Sequence, residues 1–385
     1  MANSTGTKTY GVGIMGAGNI SAAYLRLAPL FRNLEVRAIA DILPEVAKKR
    51  AGEYNVAAQT PDELLKNSEI DVIVNLTIPS THFSVSKDIL SAGKHAYSEK
   101  PFVLSVEEGI QLKALADEHK LKVGSAPDTF LGGAHQQARS IIDSGKVGKI
   151  ASGTMHVLSR GMEHWHPNPD FFFQPGGGPI LDLGPYYITD LISLVGPIKR
   201  VTAFTGSARA EREVTTEGSP FKGTFIKVGT PTTIHAILEF HSGAIITLGA
   251  SWDVSSHGHH NIELYGTEGS VYVPDPNFFN GDVTITNRAG DKEKVTPWDH
   301  PFGKANQDLD KPNPRANYRN AGLSDMMDSI ETGKKARCDL DVALHAVDVM
   351  TSILRAGETG QVITLQTTCE RPAALGIEEA RALLR

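Results

Sequence analysis

The segment Gly16-Ala17-Gly18-Asn19-Ile20-Ser21 limits what this chain can fold into more than any other. It follows the apolar run Tyr10–Met15, which reads as a buried strand, and it opens a helical stretch through about Leu30. Gly16 permits a tight turn, and Gly18 lets another group approach the backbone. Glu35–Ala40 reads as a second strand ending on Asp41. Strand, glycine turn, helix, strand and terminal acid, in that order, predict half of a doubly wound sheet carrying a dinucleotide site. In that reading Gly16, Gly18, Asn19 and Ile20 border the pyrophosphate at the helix start. Asp41 grips the ribose hydroxyls. A carboxylate there repels a 2′-phosphate, so NAD is expected over NADP. The third small position carries Ser21 instead of glycine or alanine. Asp41 also suits a helix cap before Pro44-Glu45, and both roles can hold.

Strand patterns recur at Asp71–Leu76, Lys94–Tyr97 and Lys122–Ser125, with a helix running from Pro79 to Ala92. Ser105 with Glu108 three residues on predicts a capping box opening another helix. Strands alternating with helices mean parallel βαβ units. After about Asp128 the pattern changes. One helix, Gly133–Asp143, leads into two-residue alternations at Ile150–Leu158, Thr232–Phe240 and Ala244–Trp252. Helices are expected at Ile180–Val195, Ala316–Glu331 and Val342–Ala356. The expectation is an α/β protein of 385 residues. An N-terminal Rossmann domain would span 1–128. A C-terminal α+β domain, 129–385, would carry a large, mostly antiparallel, open-faced sheet. Which domain the late helices join is open.

Charge and cysteine content exclude several classes. The chain has 38 lysines and arginines against 44 acids, a net charge of −6, so bulk charge draws it neither to nucleic acid nor to an anionic membrane. Two cysteines predict no disulfide scaffold and favour the reducing cytoplasm. The polar stretch Met1–Thr9 lacks the apolar core of a signal peptide, and no apolar run is long enough to span a bilayer.

Three further segments add detail: Asn75-Leu76-Thr77-Ile78-Pro79 with His82; Glu99-Lys100-Pro101; and Gly176-Gly177-Gly178 leading to Asp182-Leu183-Gly184-Pro185-Tyr186. With the glycine motif, they resemble the glucose–fructose oxidoreductase, inositol dehydrogenase and MocA family from about residue 10 to about residue 360. The resemblance implies a Rossmann domain paired with a second domain whose open sheet face builds homodimers or homotetramers. It places substrate between the domains, and Thr77, Pro79, His82 and Glu99 beside the cofactor. It assigns Lys100 as the active-site lysine. Inositol dehydrogenases carry histidine where this chain has Tyr186, so their histidine mechanism does not carry over; in this respect the chain is similar to the tyrosine-containing branches.

Oxidising an alcohol requires removing its O–H proton as hydride leaves the carbon. A phenol needs a nearby cation to serve as base, which Lys100 could supply to Tyr186. Asp182, read as lying one helical turn before Tyr186, would orient Lys100 or accept a substrate hydroxyl. Which of Lys100 and Tyr186 takes the proton first is open. Each also has a plainer reading: Lys100 as a solvated strand end, Tyr186 as a core tyrosine, Asp182 as a helix cap. Two histidine clusters, His164-Trp165-His166-Pro167-Asn168 and His257-Gly258-His259-His260, read as loops. They suit solvent, a metal or, in the favoured reading, a sugar. There Trp165 stacks on the ring and His164, His166, Asn168, His257 and His259 bond hydroxyls; no metal is expected. The expected function is NAD(P)-dependent oxidation of a hydroxyl carbon in a sugar, glycoside or cyclitol. The alternatives are an NAD-dependent glycosidase working by transient oxidation and elimination, and a non-catalytic nucleotide-binding regulator.

Overall fold

The computed structural model describes residues 8–385. Most of the Met1–Thr9 segment therefore lies outside the described residues. The chain divides into two compact units. The first holds the described residues up to Gly132 together with Asp299–Leu344 and Leu375–Arg385; the second holds Gly133–Trp298 and His345–Ala374. This division differs from a single boundary near residue 128, because two late segments cluster with the first unit.

In the first unit, strands β1 (Tyr10–Met15), β2 (Leu34–Ala40), β3 (Ala57–Gln59), β4 (Val72–Asn75), β5 (His95–Ser98) and β6 (Val123–Ser125) form one parallel sheet. Their order is β3-β2-β1-β4-β5-β6. β1 and β4 are buried throughout, as continuous apolar runs covered on both faces require. Helices α1 (Ser21–Leu27), α2 (Pro44–Tyr54), α3 (Pro61–Lys66), α4 (His82–Ser91) and α5 (Val106–His119) provide the crossovers. The helix expected through Leu30 tightens to a 3-10 turn at Ala28–Leu30, where Pro29 lacks the N–H a regular helix would use. The expected capping box at Ser105 forms by halves. Ser105 accepts the Glu108 N–H, but Glu108 reaches past Ser105 to the N–H of Leu104 at 3.1 Å. A complete box, not foreseen, stands at Thr60 and Glu63. Strand order reverses between β1 and β4, which opens a crevice at their carboxyl ends.

The second unit is built on nine strands: β7 (Ile150–Leu158), β8 (Ile198–Gly206), β11 (Thr233–Phe240), β12 (Ile245–Ser251), β13 (Ile262–Gly266), β14 (Gly269–Val273), β15 (Thr284–Asn287), β16 (Lys292–Lys294) and β17 (Ile363–Thr364). A separate hairpin, β9 (Glu211–Glu213) with β10 (Phe225–Lys227), had no signal in the alternation pattern because its strands are only three residues long. The large sheet is antiparallel except for β7 against β12. Inward positions pack against helices including α6 (Gly133–Asp143) and α8 (Gly184–Val195), which follows the short α7 (Pro179–Asp182). The other face is open: Phe204 is 82% exposed, with Ile237 and Ile245 also exposed on neighbouring strands. In the first unit α9 (Ala321–Thr332) packs on β6 and against the terminal α11 (Ile377–Leu383). The helix α10 (Leu340–Thr359) crosses the division at Leu344–His345.

Candidate active site

The crevice of the first unit has the shape a dinucleotide needs. Gly16 sits at φ +104, and a Cβ there would come within 2.6 Å of the Leu76 carbonyl oxygen, so only glycine fits. A Cβ on Gly18 would meet nothing within 4 Å, which leaves that backbone open to a ligand. Among the described residues, the N–H groups of Gly18, Asn19 and Ile20 have no hydrogen-bond partner. Ser21, in the place of the usual third glycine, is fully buried and its hydroxyl donates to the Gly18 carbonyl at 2.6 Å. The substitution is therefore accommodated and braces the turn. Asp41 accepts N–H groups from Ala17 at 2.8 Å and Leu43 at 2.9 Å. Its carboxylate is held beside the glycine turn, and it fixes the bend at Leu43 without capping α2, whose N-cap residue Leu43 makes no side-chain capping bond. These features fit NAD: an anion cradle beside Gly18 and a fixed acid for ribose hydroxyls.

Arg50 lies nine residues beyond Asp41 in sequence. The fold brings its Nη2 to 3.4 Å from the Gly18 carbonyl, because α2 runs back past the glycine turn. Its other nitrogen pairs with Glu53 at 2.7 Å.

Asn75 organises the loop after β4. It accepts from the Thr77 hydroxyl at 2.7 Å and donates to the His82 carbonyl and Ser86 hydroxyl at 3.1 Å. The His82 ring is buried, with Nδ1 2.7 Å from the Pro101 carbonyl and Nε2 3.0 Å from that of Thr77. Burial pushes its pKa below the usual histidine value. Its ring thus ties the Thr77 loop to Pro101; it is a brace, where a cofactor contact had been expected. Pro79 begins a short 3-10 turn ahead of α4. Glu99 accepts the Tyr24 hydroxyl at 2.8 Å and the Lys100 N–H at 3.0 Å, so the backbone carrying Lys100 is fixed by its neighbour. Burial, reinforced by the Glu99 charge, raises the Tyr24 phenol well above its ordinary pKa and keeps it a donor.

In the second unit, Asp182 and Tyr186 are not on one continuous helix. α7 ends at Asp182, Leu183 intervenes, and the Tyr186 N–H bonds to the Leu183 carbonyl at 3.1 Å. Pro185 has no N–H to continue the ladder, so the helical hydrogen bonds are interrupted here, although Leu183 itself stays in the right-handed helical region. Tyr186 lies in the first turn of α8 and is mostly buried. Further along α8, Asp190 pairs with buried His135 at 3.0 Å, whose other nitrogen faces the Phe278 carbonyl at 2.8 Å. Burial opposes a charge on His135, yet the Asp190 carboxylate outweighs it and lifts the pKa above the usual value. Tyr187 is anchored by donating to Asp275 at 3.1 Å and accepting from Asn261 at 2.8 Å.

The two histidine clusters separate. Among the described residues no hydrogen bond or ring contact joins them. His164 lies 2.7 Å from the Thr215 hydroxyl and 3.4 Å from Glu163. His166 accepts the Asn168 N–H at 3.1 Å and meets Phe171 and Phe172 edge-on. Trp165 is 61% exposed, as a ring platform would be. His259 instead stacks at 4.0 Å on His156, which alternates onto the open face of the nine-stranded sheet, and His257 stacks next to it. Among the described residues no group of three or more metal-ligating side chains converges.

Residues 10–126 match the profile described as an oxidoreductase family with an NAD-binding Rossmann fold, and residues 135–272 match the GFO/IDH/MocA C-terminal domain. An uncharacterized oxidoreductase of Schizosaccharomyces pombe is 31% identical over 44% of this chain and 45% of its own length, so the chain spans under half of that relative. Levoglucosan dehydrogenase of Pseudarthrobacter phenanthrenivorans is 26% identical over 68% of this chain and 72% of its own. A solved levoglucosan dehydrogenase in complex with NADH shares the fold, with a TM-score of 0.77 at 19% identity over 94% of this chain and all of that one. With residues 10–126 and 135–272 matched by these profiles, the chain belongs to the GFO/IDH/MocA family of NAD-binding oxidoreductases.

Proposed function

We propose that the chain is an NAD-dependent dehydrogenase that oxidises a hydroxyl carbon of a ring-form sugar, glycoside or cyclitol. The observation that carries the reading is the first unit's crevice: Gly16 pressed against Leu76, the backbone open at Gly18, and Asp41 fixed beside them, with Glu99-Lys100 at the end of β5. Relatives named inositol 2-dehydrogenase and levoglucosan dehydrogenase support the substrate class. Bound NAD supplies the hydride acceptor. Lys100 holds a charge against the carbinol oxygen, Tyr186 offers a phenolic oxygen to its proton, and Asp182 accepts a substrate hydroxyl. Trp165 presents a face to the sugar's C–H side. Screening aldoses, glycosides, anhydro-sugars and inositols for NADH absorbance tests the reading. Net NADH formation is the expected result; released aglycone without net NADH would instead establish the glycosidase, and tight NAD binding with no turnover the regulator.

The same assay tests cofactor choice. Asp41 sets a negative charge where NADP carries its 2′-phosphate, so kcat/KM should favour NAD, and Asp41→Ser should narrow the ratio. Arg50 is the cation that could oppose this; a wild-type ratio favouring NADP would overturn the role given to Asp41.

The open face of the nine-stranded sheet supports a homodimer or homotetramer, because it leaves Phe204, Ile237 and Ile245 exposed on three adjacent strands where a partner copy would cover them. Light scattering should give at least twice the mass of one chain across micromolar dilution, and Phe204→Glu should lower it; a monomer throughout would refute the assignment. Two buried cysteines, Cys338 and Cys369, fit a reducing compartment such as the cytoplasm. No helix among the described residues is long and apolar enough to cross a membrane.

A further inference from the structure

The hairpin β9–β10 builds a feature of the second unit that the sequence did not announce. Met162, Phe173, Val214, Ile226 and Trp252 form a small apolar core that fixes the hairpin against the His164 loop. At its edge lies a cavity of about 260 Å³, lined among others by Arg160, His164, Arg209, Arg212, Trp252 and Asp253. Arg212 is only 3% exposed. Its Nη1 donates to Glu163 at 2.7 Å and to the Trp252 carbonyl at 3.2 Å, and its Nη2 bonds Asp253.

This buried pair also pins the backbone that carries the other two arginines. The Arg160 carbonyl accepts from Arg212 Nη1 at 3.3 Å. Arg209 is bracketed, since the Ala208 N–H donates to Asp253 at 3.5 Å and the Ala210 carbonyl accepts the Val228 N–H at 2.8 Å. Both Arg160 and Arg209 are exposed, and among the described residues neither is in an ion pair. Three buried polar atoms have no hydrogen-bond partner there: Arg212 Nε, Trp252 Nε1 and Glu163 Oε2. Buried donors in folded proteins are nearly always paired, and an oxygen of a ligand or of water beside this cavity would complete the two on Arg212 and Trp252; the exposed Arg160 and Arg209 are the groups that face a ligand. Three arginines against the carboxylates of Glu163 and Asp253 leave one positive charge, which matches a singly charged anion better than a phosphate ester.

We propose that this cavity binds a carboxylate of the substrate, which makes the molecule this chain oxidises a sugar acid of the uronate or aldonate type. The proposal rests on the dehydrogenase reading and narrows it. His164 connects the two, because it lines the cavity and adjoins Trp165, the proposed sugar platform. Arg160 and Arg209 close on the carboxylate as charge-assisted donors. Matching a planar carboxylate is a task for arginine rather than lysine.

The test compares D-glucuronate, D-galacturonate and D-gluconate with D-glucose, D-galactose and D-glucose 6-phosphate. The proteins are the wild type and Arg160→Gln/Arg209→Gln, assayed by NAD reduction and by calorimetric titration with NADH bound. Both arginines are exposed, so the variant should fold, and a melting curve checks this. At least one acid should exceed its neutral counterpart in kcat/KM by about tenfold or more, mainly through KM, and the variant should lose that advantage while NAD affinity holds. Neutral sugars equal to the acids in the wild type, or an advantage surviving in the variant, would overturn the proposal. Preference for glucose 6-phosphate, lost in the variant, would overturn the carboxylate assignment in favour of phosphate. If none of these sugars is oxidised, acid binding that the variant loses upholds the cavity while the dehydrogenase reading stands or falls on the wider NADH screen; no binding overturns the cavity.

Discussion

Lys100→Ala and Tyr186→Phe should each lower kcat by about 10² to 10⁴, the span usual for groups that move or balance a proton. That is roughly 3 to 5 kcal/mol of transition-state stabilisation at 1.36 kcal/mol per decade. Hydride departs from a carbinol carbon only as its O–H proton is taken, so charge on the oxygen must be met at that moment. Lys100 follows β5 on backbone held by Glu99, which Tyr24 holds in turn. Tyr186 is set in the first turn of α8, which the His135–Asp190 pair anchors. Neither substitution removes a large apolar surface, so melting temperature and NAD affinity should change little. Tyr187→Phe separates chemistry from structure. Its hydroxyl serves Asp275 and Asn261, so its loss should cost about 1 kcal/mol of stability and leave kcat in place. Steady-state kinetics with thermal melts decide the matter. Turnover within threefold of wild type in either Lys100→Ala or Tyr186→Phe would remove that residue from the mechanism.

Arg212→Ala should destabilise the second unit by about 3–5 kcal/mol, the usual cost of stripping one partner from a buried ion pair. The variant strands Glu163, which is 1% exposed, and removes the Nη2 partner of Asp253. It also takes a donor from the Trp252 and Arg160 carbonyls. Burial by itself would raise the Asp253 carboxyl, but the hydroxyls of Thr232 and Thr233 and the Arg212 charge outweigh it and hold its pKa below the ordinary carboxylate range. With a depressed folded-state value, its contribution is present above the unfolded pKa of about 4 and fades as pH falls through the folded value. A melting transition lowered by on the order of 10 °C at pH 7 is the expected reading. The deficit should shrink toward pH 4 as the stranded acids protonate. A shift under 2 °C at pH 7 would mean the network is not the support described here.

Much of the fold was legible because its signals are local. The buried runs of β1 and β4, the alternation of β7, β11 and β12, and the Gly16 turn all depend on which neighbours along the chain are apolar or small. The Leu183 break could have been read from Gly184-Pro185, whose missing N–H was visible in the residues. The brace that His82 forms depends on what the fold brings to both of its ring nitrogens. Thr77 lies five residues from His82, but nothing local indicates that Pro101, 19 residues on, will meet its other ring nitrogen.

The residues alone determined the doubly wound first unit, the glycine cradle with Asp41, and the large alternating sheet, because hydrophobic period and backbone permission are properties of short segments. Only the tertiary structure decided that Asp299–Leu344 and Leu375–Arg385 cluster with the first unit. It alone brought Arg50 back to Gly18, and gathered Arg160, Arg209 and Arg212 around one cavity. Arg50 lies 32 residues from Gly18 and Arg160 lies 52 from Arg212, and no periodicity records either meeting. Their meeting depends on α2 returning past the glycine turn and on the β9–β10 hairpin folding over the ends of β7 and β12, and only the closed fold satisfies those packing conditions.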